Sequence, residues 1–129
     1  KELLVGVASM LREAGLALVA TRGTAAFLDK KGFAVEVVNK VNEGRPHCVD
    51  RIRDGGIQLV VNTSALGVHE IGAAYELRRA TLLGGICYFT TLTAARAAAA
   101  AILELKRVPV VTHCLQDRPA PSATPTTDG

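Results

Sequence analysis

The chain has no tryptophan, and aromatic residues make up only 4% of its 129 positions. A stacking platform for single-stranded nucleic acid needs rings, so this class is disfavoured from the outset. The core must instead be built from Ala, Val, Leu and Ile. Cysteine is also sparse: Cys48, Cys87 and Cys114 are odd in number and far apart. No C-x-x-C pair exists, which argues against a zinc site and against a disulfide framework. Reduced cysteines in a cytoplasmic protein are the expectation. No apolar run is long enough to span a bilayer. The opening Lys1-Glu2-Leu3-Leu4 does not resemble a signal peptide and reads as part of a longer or processed protein. A dense basic stripe is lacking too. Lys plus Arg total 15 against 12 Asp plus Glu, a net charge of +3. Apart from Arg51/Arg53 and Arg78/Arg79 the cations are dispersed, which argues against a nucleic-acid face. A small anionic ligand needs only a few cations in one place and is not excluded.

What is present is apolar residue in quantity, 49% of the chain against 21% charged. That supports one packed domain of ordinary size. Residues 2–14 place Leu3, Leu4, Val7, Met10, Leu11 and Ala14 at helical spacing, with Gly15 as the stop. Leu16–Ala20 reads as a buried strand, Thr24–Lys31 as a helix ended by Gly32, and Phe33–Val38 as a second strand. A polar loop over 39–47 leads to a short helix, His47–Asp54, with Val49 and Ile52 inward. Ile57–Val61 is the clearest strand. Glu70–Leu83 is a helix, Ile86–Phe89 a strand and Thr93–Lys106 an Ala-rich helix. Val108–Cys114 reads as a final strand, at an edge because of Pro109. Residues 116–129, with Pro119, Pro121 and Pro125, read as a mobile tail after a domain of residues 1–115.

Helix and strand alternate, and the strands lack polar alternation. The pattern predicts an α/β domain of Rossmann-like, three-layer form, with a parallel sheet buried between helices on both faces. The order starts with a helix, so the strand that should precede it is expected to be missing.

Ligands of open α/β sheets bind beyond the carboxyl ends of the strands. Those positions here carry Thr21-Arg22-Gly23-Thr24, Asn39-Lys40, Asn62-Thr63-Ser64 and Thr90-Thr91. Thr21 and Thr24 flank a glycine at a helix mouth, where backbone N–H groups favour an anion. Lys40 adds a full positive charge and Lys1 a second one. Asn62, Thr63 and Ser64 suit a sugar or base. Each threonine also has a plainer role as a helix cap: Thr24 for the second helix, and Thr90, Thr91 or Thr93 for the last. Convergence of several strand ends on one edge is what favours a ligand. His47, His69 and His113 are scattered, so no metal site is expected. Arg78-Arg79 fit salt bridges, and the Ala97–Ala101 run fits close helix packing.

The stretch Val38-Asn39-Lys40-Val41-Asn42-Glu43-Gly44-Arg45-Pro46-His47, with Asp50-Arg51-Ile52 after it, is distinctive. With Ala20-Thr21-Arg22-Gly23-Thr24 and Val60-Val61-Asn62-Thr63 it resembles the C-terminal allosteric domain of the bacterial carbamoyl phosphate synthetase large subunit. That domain has the methylglyoxal-synthase-like fold, and the resemblance covers residues 1–115. It implies a non-catalytic regulatory unit that binds UMP or IMP and needs no cofactor. Its partners would be the synthetase domains of the same subunit and, through them, the glutaminase small subunit. Carbamoyl phosphate would be made from glutamine for pyrimidine and arginine biosynthesis. Carried over by residue, the effector phosphate falls to Lys1, Thr21, Thr24 and Lys40, and the nucleoside to Asn62, Thr63 and Ser64. Ornithine-side contacts fall to Tyr88 and Thr90. Ala74 stands where the family has a further serine, and Thr93-Ala94-Ala95 where it often has Asn-Gly-Gly.

The alternatives are a methylglyoxal-synthase-type lyase acting on dihydroxyacetone phosphate and an assembly module whose threonines are only caps. The lyase needs a catalytic Asp in a Gly-Gly-Asp loop, and here Glu43-Gly44-Arg45 occupies that loop.

Overall fold

The computed structural model describes residues 2–63, 71–112, 114 and 116. Lys1, Ser64, His69 and His113 lie outside the described residues, as does the tail beyond Gln116. The elements are α1 (Glu2–Glu13), β1 (Leu18–Thr21), α2 (Arg22–Asp29), β2 (Val35–Val38), α3 (Cys48–Arg53), β3 (Leu59–Val61), α4 (Ile71–Leu83), β4 (Cys87–Phe89) and α5 (Leu92–Leu105). A 3-10 turn, Val41–Glu43, lies between β2 and α3.

The alternation read from the sequence is therefore present. Gly15 and Gly32 end their helices with φ of 80° and 82°, a left-handed conformation that glycine adopts without a Cβ penalty. At the first of these, Gly15 N–H donates to Arg12 O at 2.9 Å and Leu16 N–H to Leu11 O at 3.0 Å. Val108–Val111, expected as part of a last strand, forms none. Pro109 has no N–H to donate, and Val108, Val110 and Val111 are exposed.

The strands pair in parallel, β1 with β2 and β3 with β4, as two separate ladders. The continuous sheet expected from the sequence is thus divided between β1 and β3. None of the strand residues is fully buried, although their apolar composition suits burial on both faces. Among the described residues each strand is ladder-bonded to one neighbour only, so its other edge is uncovered by a strand.

Helices cover both faces. Successive residues of a strand point to opposite sides. Val61 packs with Val7 and Leu11 of α1 and Ala95 and Ala99 of α5, while Val60 packs with Val49 and Ile52 of α3 and Ala80 of α4. A third cluster joins Ala8 of α1, Leu28 of α2 and Phe33, with Leu18 and Val35 beside them. Helix α1 thus touches both strand pairs and bridges the division between them. Its carboxyl end is pinned to that of α5: Lys106 Nζ donates to Ala14 O, and Arg107 Nη2 lies 2.8 Å from Glu13 Oε1. The small faces of Ala95 and Ala99 allow this close packing.

Candidate functional site

One cavity of about 490 Å3 runs between β1 and β3, an apolar slot lined along both strands that opens at their carboxyl ends. This lies within the usual range for a small-molecule site, roughly 300–1,000 Å3. Thr21, Thr24, Lys40, Asn62 and Thr63 all line it. Tyr88 and Thr90 are not in its wall. Tyr88 nevertheless touches the group, because Asn62 Nδ2 donates to Tyr88 Oη at 2.9 Å and so fixes the carboxamide. Arg78 lies over the Tyr88 ring, 5.7 Å from its centroid.

Helix α2 starts two residues earlier than the sequence suggested, because Thr21 is its N-cap residue and Thr24 its third residue. Thr24 is therefore not the cap. The Thr21 hydroxyl makes no capping hydrogen bond, so capping does not account for it. The first amides of a helix have no intrahelical acceptor. Those of Arg22, Gly23 and Thr24 occupy this position, and a Cβ added at Gly23 would meet nothing within 4 Å. The turn is open to an approaching anion. At α5 the plainer role holds: Thr91 Oγ1 accepts from Ala94 N–H at 3.2 Å.

The distinctive loop over 39–47 is held by its own residues. Asn39 Nδ2 donates to Pro46 O at 3.2 Å, and Cys48 N–H donates to Asn39 O at 3.0 Å. Lys40 N–H donates to Glu43 Oε2 at 2.9 Å, and Gly44 has φ of 99°. His47, only 6% exposed, donates its backbone N–H to Asp50 Oδ2 at 3.0 Å. Its Nδ1 lies 3.2 Å from the same oxygen without a hydrogen bond to it. Most of the motif therefore shapes the loop that presents Lys40 to the cavity.

These bonds also bear on the lyase chemistry. Glu43 is engaged at the Lys40 amide. Asp50 is not in the cavity wall, and its carboxyl is held below the usual range, chiefly by the His47 N–H and then by the nearby Arg45. A general base works best with a pKa near the operating pH, so the lowered Asp50 carboxyl is not suited to abstract a carbon-bound proton.

Among the wall residues that sequence reasoning missed are Glu36, Cys48 and Arg51. Arg51 Nη2 of α3 lies 2.8 Å from both carboxylate oxygens of Glu36 on β2, while its Nε is buried without a partner. Arg51 was visible as a cation on a short helix. Only the packing of α3 beside β2 shows that it reaches the cavity. Burial pushes the Cys48 thiol up, so it stays protonated near neutrality. Ala74 also lines the wall, so a methyl group faces the place where a serine was expected. Among the described residues no cluster of His, Cys, Asp and Glu is arranged to hold a metal, and no helix is long and apolar enough to cross a membrane.

The family model of the MGS-like domain matches residues 3–90. The chain belongs to the MGS-like family. This MGS-like chain is 43% identical over 117 residues to the carbamoyl phosphate synthase large chain of Myxococcus xanthus, covering 91% of itself and 11% of that protein. It is 43% identical over 114 residues to the C-terminal section of the carbamoyl phosphate synthase large chain of Methanopyrus kandleri, covering 88% of itself and 21% of that section. The corresponding large chain of Methanoculleus marisnigri is 46% identical over 107 residues, 83% of this chain and 10% of that one. The MGS-like chain thus spans about a tenth to a fifth of the length of these relatives.

Proposed function

We propose that this MGS-like unit is the regulatory, effector-binding domain of a carbamoyl phosphate synthase large chain, with a nucleoside monophosphate such as UMP or IMP as ligand. The observation that carries this reading is the gathering of Thr21, Thr24, Lys40, Asn62 and Thr63 around one cavity where it opens at the strand ends. In this reading the phosphate takes the α2 amides, the Thr21 and Thr24 hydroxyls and the Lys40 ammonium, with Lys1 as a further cation. The nucleoside lies toward Asn62 and Thr63, with Ser64 beyond them. Tyr88 orients Asn62, and Thr90 belongs to the ornithine side. Effector occupancy is passed to the synthetase domains as a coupling free energy, typically about 1–3 kcal/mol. Through them it reaches the glutaminase partner.

Calorimetric titration of this chain with UMP and IMP tests the reading. Saturable binding is expected, and Lys40→Ala should weaken it about 10- to 100-fold, the loss of a charge-assisted hydrogen bond of about 1.5–3 kcal/mol. A folded chain that binds neither nucleotide would refute it. Turnover of dihydroxyacetone phosphate would favour the lyase instead.

A further inference from the structure

Among the described residues of the cavity wall the charged side chains are Lys40, Arg51 and Glu36, two cations and one anion. A phosphomonoester carries about −1.5 to −2 near neutrality, so Lys40 alone does not match it while Glu36 occupies Arg51. Glu36 and Val38 of β2 and Lys40 after it lie at alternate positions, and all three line the cavity. Val38 is the register partner of Thr21. Glu36 therefore lies one side-chain repeat, roughly 6.6 Å, back from the level of Thr21.

Arg51 reaches the same wall from α3. Cys48 N–H donates to Asn39 O, so α3 starts beside the loop that carries Lys40. Arg51 is three residues further along, a rise of about 4.5 Å. Side chains of a helix lean toward its amino end, which here is the end near Lys40. The donors of the guanidinium are not all used. Nη2 alone meets both Glu36 oxygens at 2.8 Å, whereas a forked pair engages two nitrogens, and Nε is buried without a partner. The pair is also open to water, with the Arg51 and Glu36 side chains 39% and 56% exposed. Ion pairs of this kind contribute little, so a stronger anion can take one partner away.

We infer, resting on the nucleotide reading above, that Arg51 is a second cation for the phosphate of the ligand, and that Glu36 holds it in this structure and competes with the ligand for it. A phosphate dianion brings more charge and more acceptor oxygens than one carboxylate. When it takes the guanidinium, Glu36 turns its exposed carboxylate to water, and Lys40 and Arg51 together meet the two charges of the guest. Glu36 thereby sets the charge that a ligand must carry: a singly charged guest cannot outbid it. The plainer role for Arg51 is to neutralise Glu36 and tie α3 to β2 without touching any ligand. The two roles differ in what happens when both side chains are removed together.

Titration calorimetry with UMP and IMP on this chain, Glu36→Gln, Arg51→Met and the double variant tests this. Glu36→Gln keeps the shape of the side chain and releases the guanidinium. Binding should tighten about 2- to 5-fold, the worth of an exposed ion pair. Arg51→Met should weaken binding about 10- to 100-fold, as expected for a lost charge-assisted hydrogen bond. Its affinity should also fall less steeply with added salt, because one charge contact is gone. The deciding comparison is the double variant. If Arg51 touches the phosphate, the double variant binds about 10- to 100-fold more weakly than Glu36→Gln alone, and more weakly than the wild type. A double variant that binds like the wild type would overturn the inference, because Arg51 would then only neutralise Glu36. Inorganic phosphate, measured by its displacement of UMP, should follow the same order among the variants. Variants that shift UMP but not inorganic phosphate would place Arg51 at the nucleoside and overturn it as well. Should Arg51→Met fail to melt cooperatively, Glu36→Gln decides: tighter binding supports the inference and unchanged binding overturns it. Failure of the nucleotide reading is distinct. A folded wild type that binds neither nucleotide refutes both, whereas binding that Lys40→Ala weakens and the Glu36 and Arg51 variants leave unchanged refutes the role of Arg51 alone.

Discussion

Lys40 follows β2, and its own backbone N–H is tied to Glu43. The loop that carries it is anchored a second time where Asp50 accepts from His47 N–H. The Asp50 carboxyl is held below its ordinary value by that bond, so it favours the folded state when ionised. Its contribution is full above the unfolded value, about 3.9, and is lost as pH falls through the lower folded value. Asp50→Asn should therefore lower the melting temperature at pH 7, and the gap to the wild type should close as the pH is taken well below 4. Melting both proteins across that range checks it, and a gap independent of pH would contradict it. Cys48 gives a second prediction at this scale. Its thiol is pushed up by burial and lies in the cavity wall, while Cys87 is exposed. Alkylation by iodoacetamide at pH 7.5 should modify Cys87 well before Cys48, and a ligand in the cavity should slow Cys48 further. Mass mapping of the modified peptides reads this directly.

At the scale of elements, α2 connects the core to the mouth of the cavity. Its first turn presents Thr21, Gly23 and Thr24, and its far end buries Leu28 against Ala8 and Phe33. Leu28→Ala leaves a cavity in a site 4% exposed and should cost about 2–5 kcal/mol, read as a lower denaturation midpoint. Thr21→Val keeps the size and removes the hydroxyl. Because that hydroxyl makes no capping bond, Thr21→Val should leave stability nearly unchanged while weakening nucleotide binding. Thr91→Val should do the opposite, costing about 1 kcal/mol through its lost cap while sparing affinity. Calorimetry paired with melts separates the two. Equal losses of stability would return Thr21 to a capping role.

For the whole molecule, binding and regulation separate. A ligand of the native state raises its stability by mass action, so UMP or IMP should raise the melting point of this chain alone. Regulation needs a second set of states to couple to, and the relatives' large chains are many times longer than this unit. An effect of nucleotide on carbamoyl phosphate formation should appear only with the synthetase domains attached. Lys40→Ala in that longer protein should abolish the effect without lowering the unregulated rate, as steady-state assays with and without nucleotide would show. A loss of the basal rate instead would place Lys40 in a structural role.

The alternation of helix and strand, the glycine stops at Gly15 and Gly32, and the threonines, asparagines and lysine at the strand ends were all legible in the sequence. Each rests on local chemistry: periodicity, left-handed backbone, and the polar residues that come directly after an apolar run. The start of α2 at Arg22 was not legible, because Gly23 reads as a breaker until the helix is seen to pass through it. Nor was the failure of Val108–Val111 to form a strand, since pairing needs a neighbour's free edge as well as β-forming residues. Only the tertiary structure brought Arg51 and Glu36 to the cavity, tied Tyr88 to Asn62 and spent most of the 39–47 motif on holding its own loop. Only it divided the strands into two pairs with an apolar slot between them. The sequence by itself determined most of the helices and strands and which chemistry sits at their ends, because those depend mainly on near neighbours along the chain. Which ends meet, and which edges stay open, depended on contacts between residues far apart in sequence, and these exist only once the chain has folded.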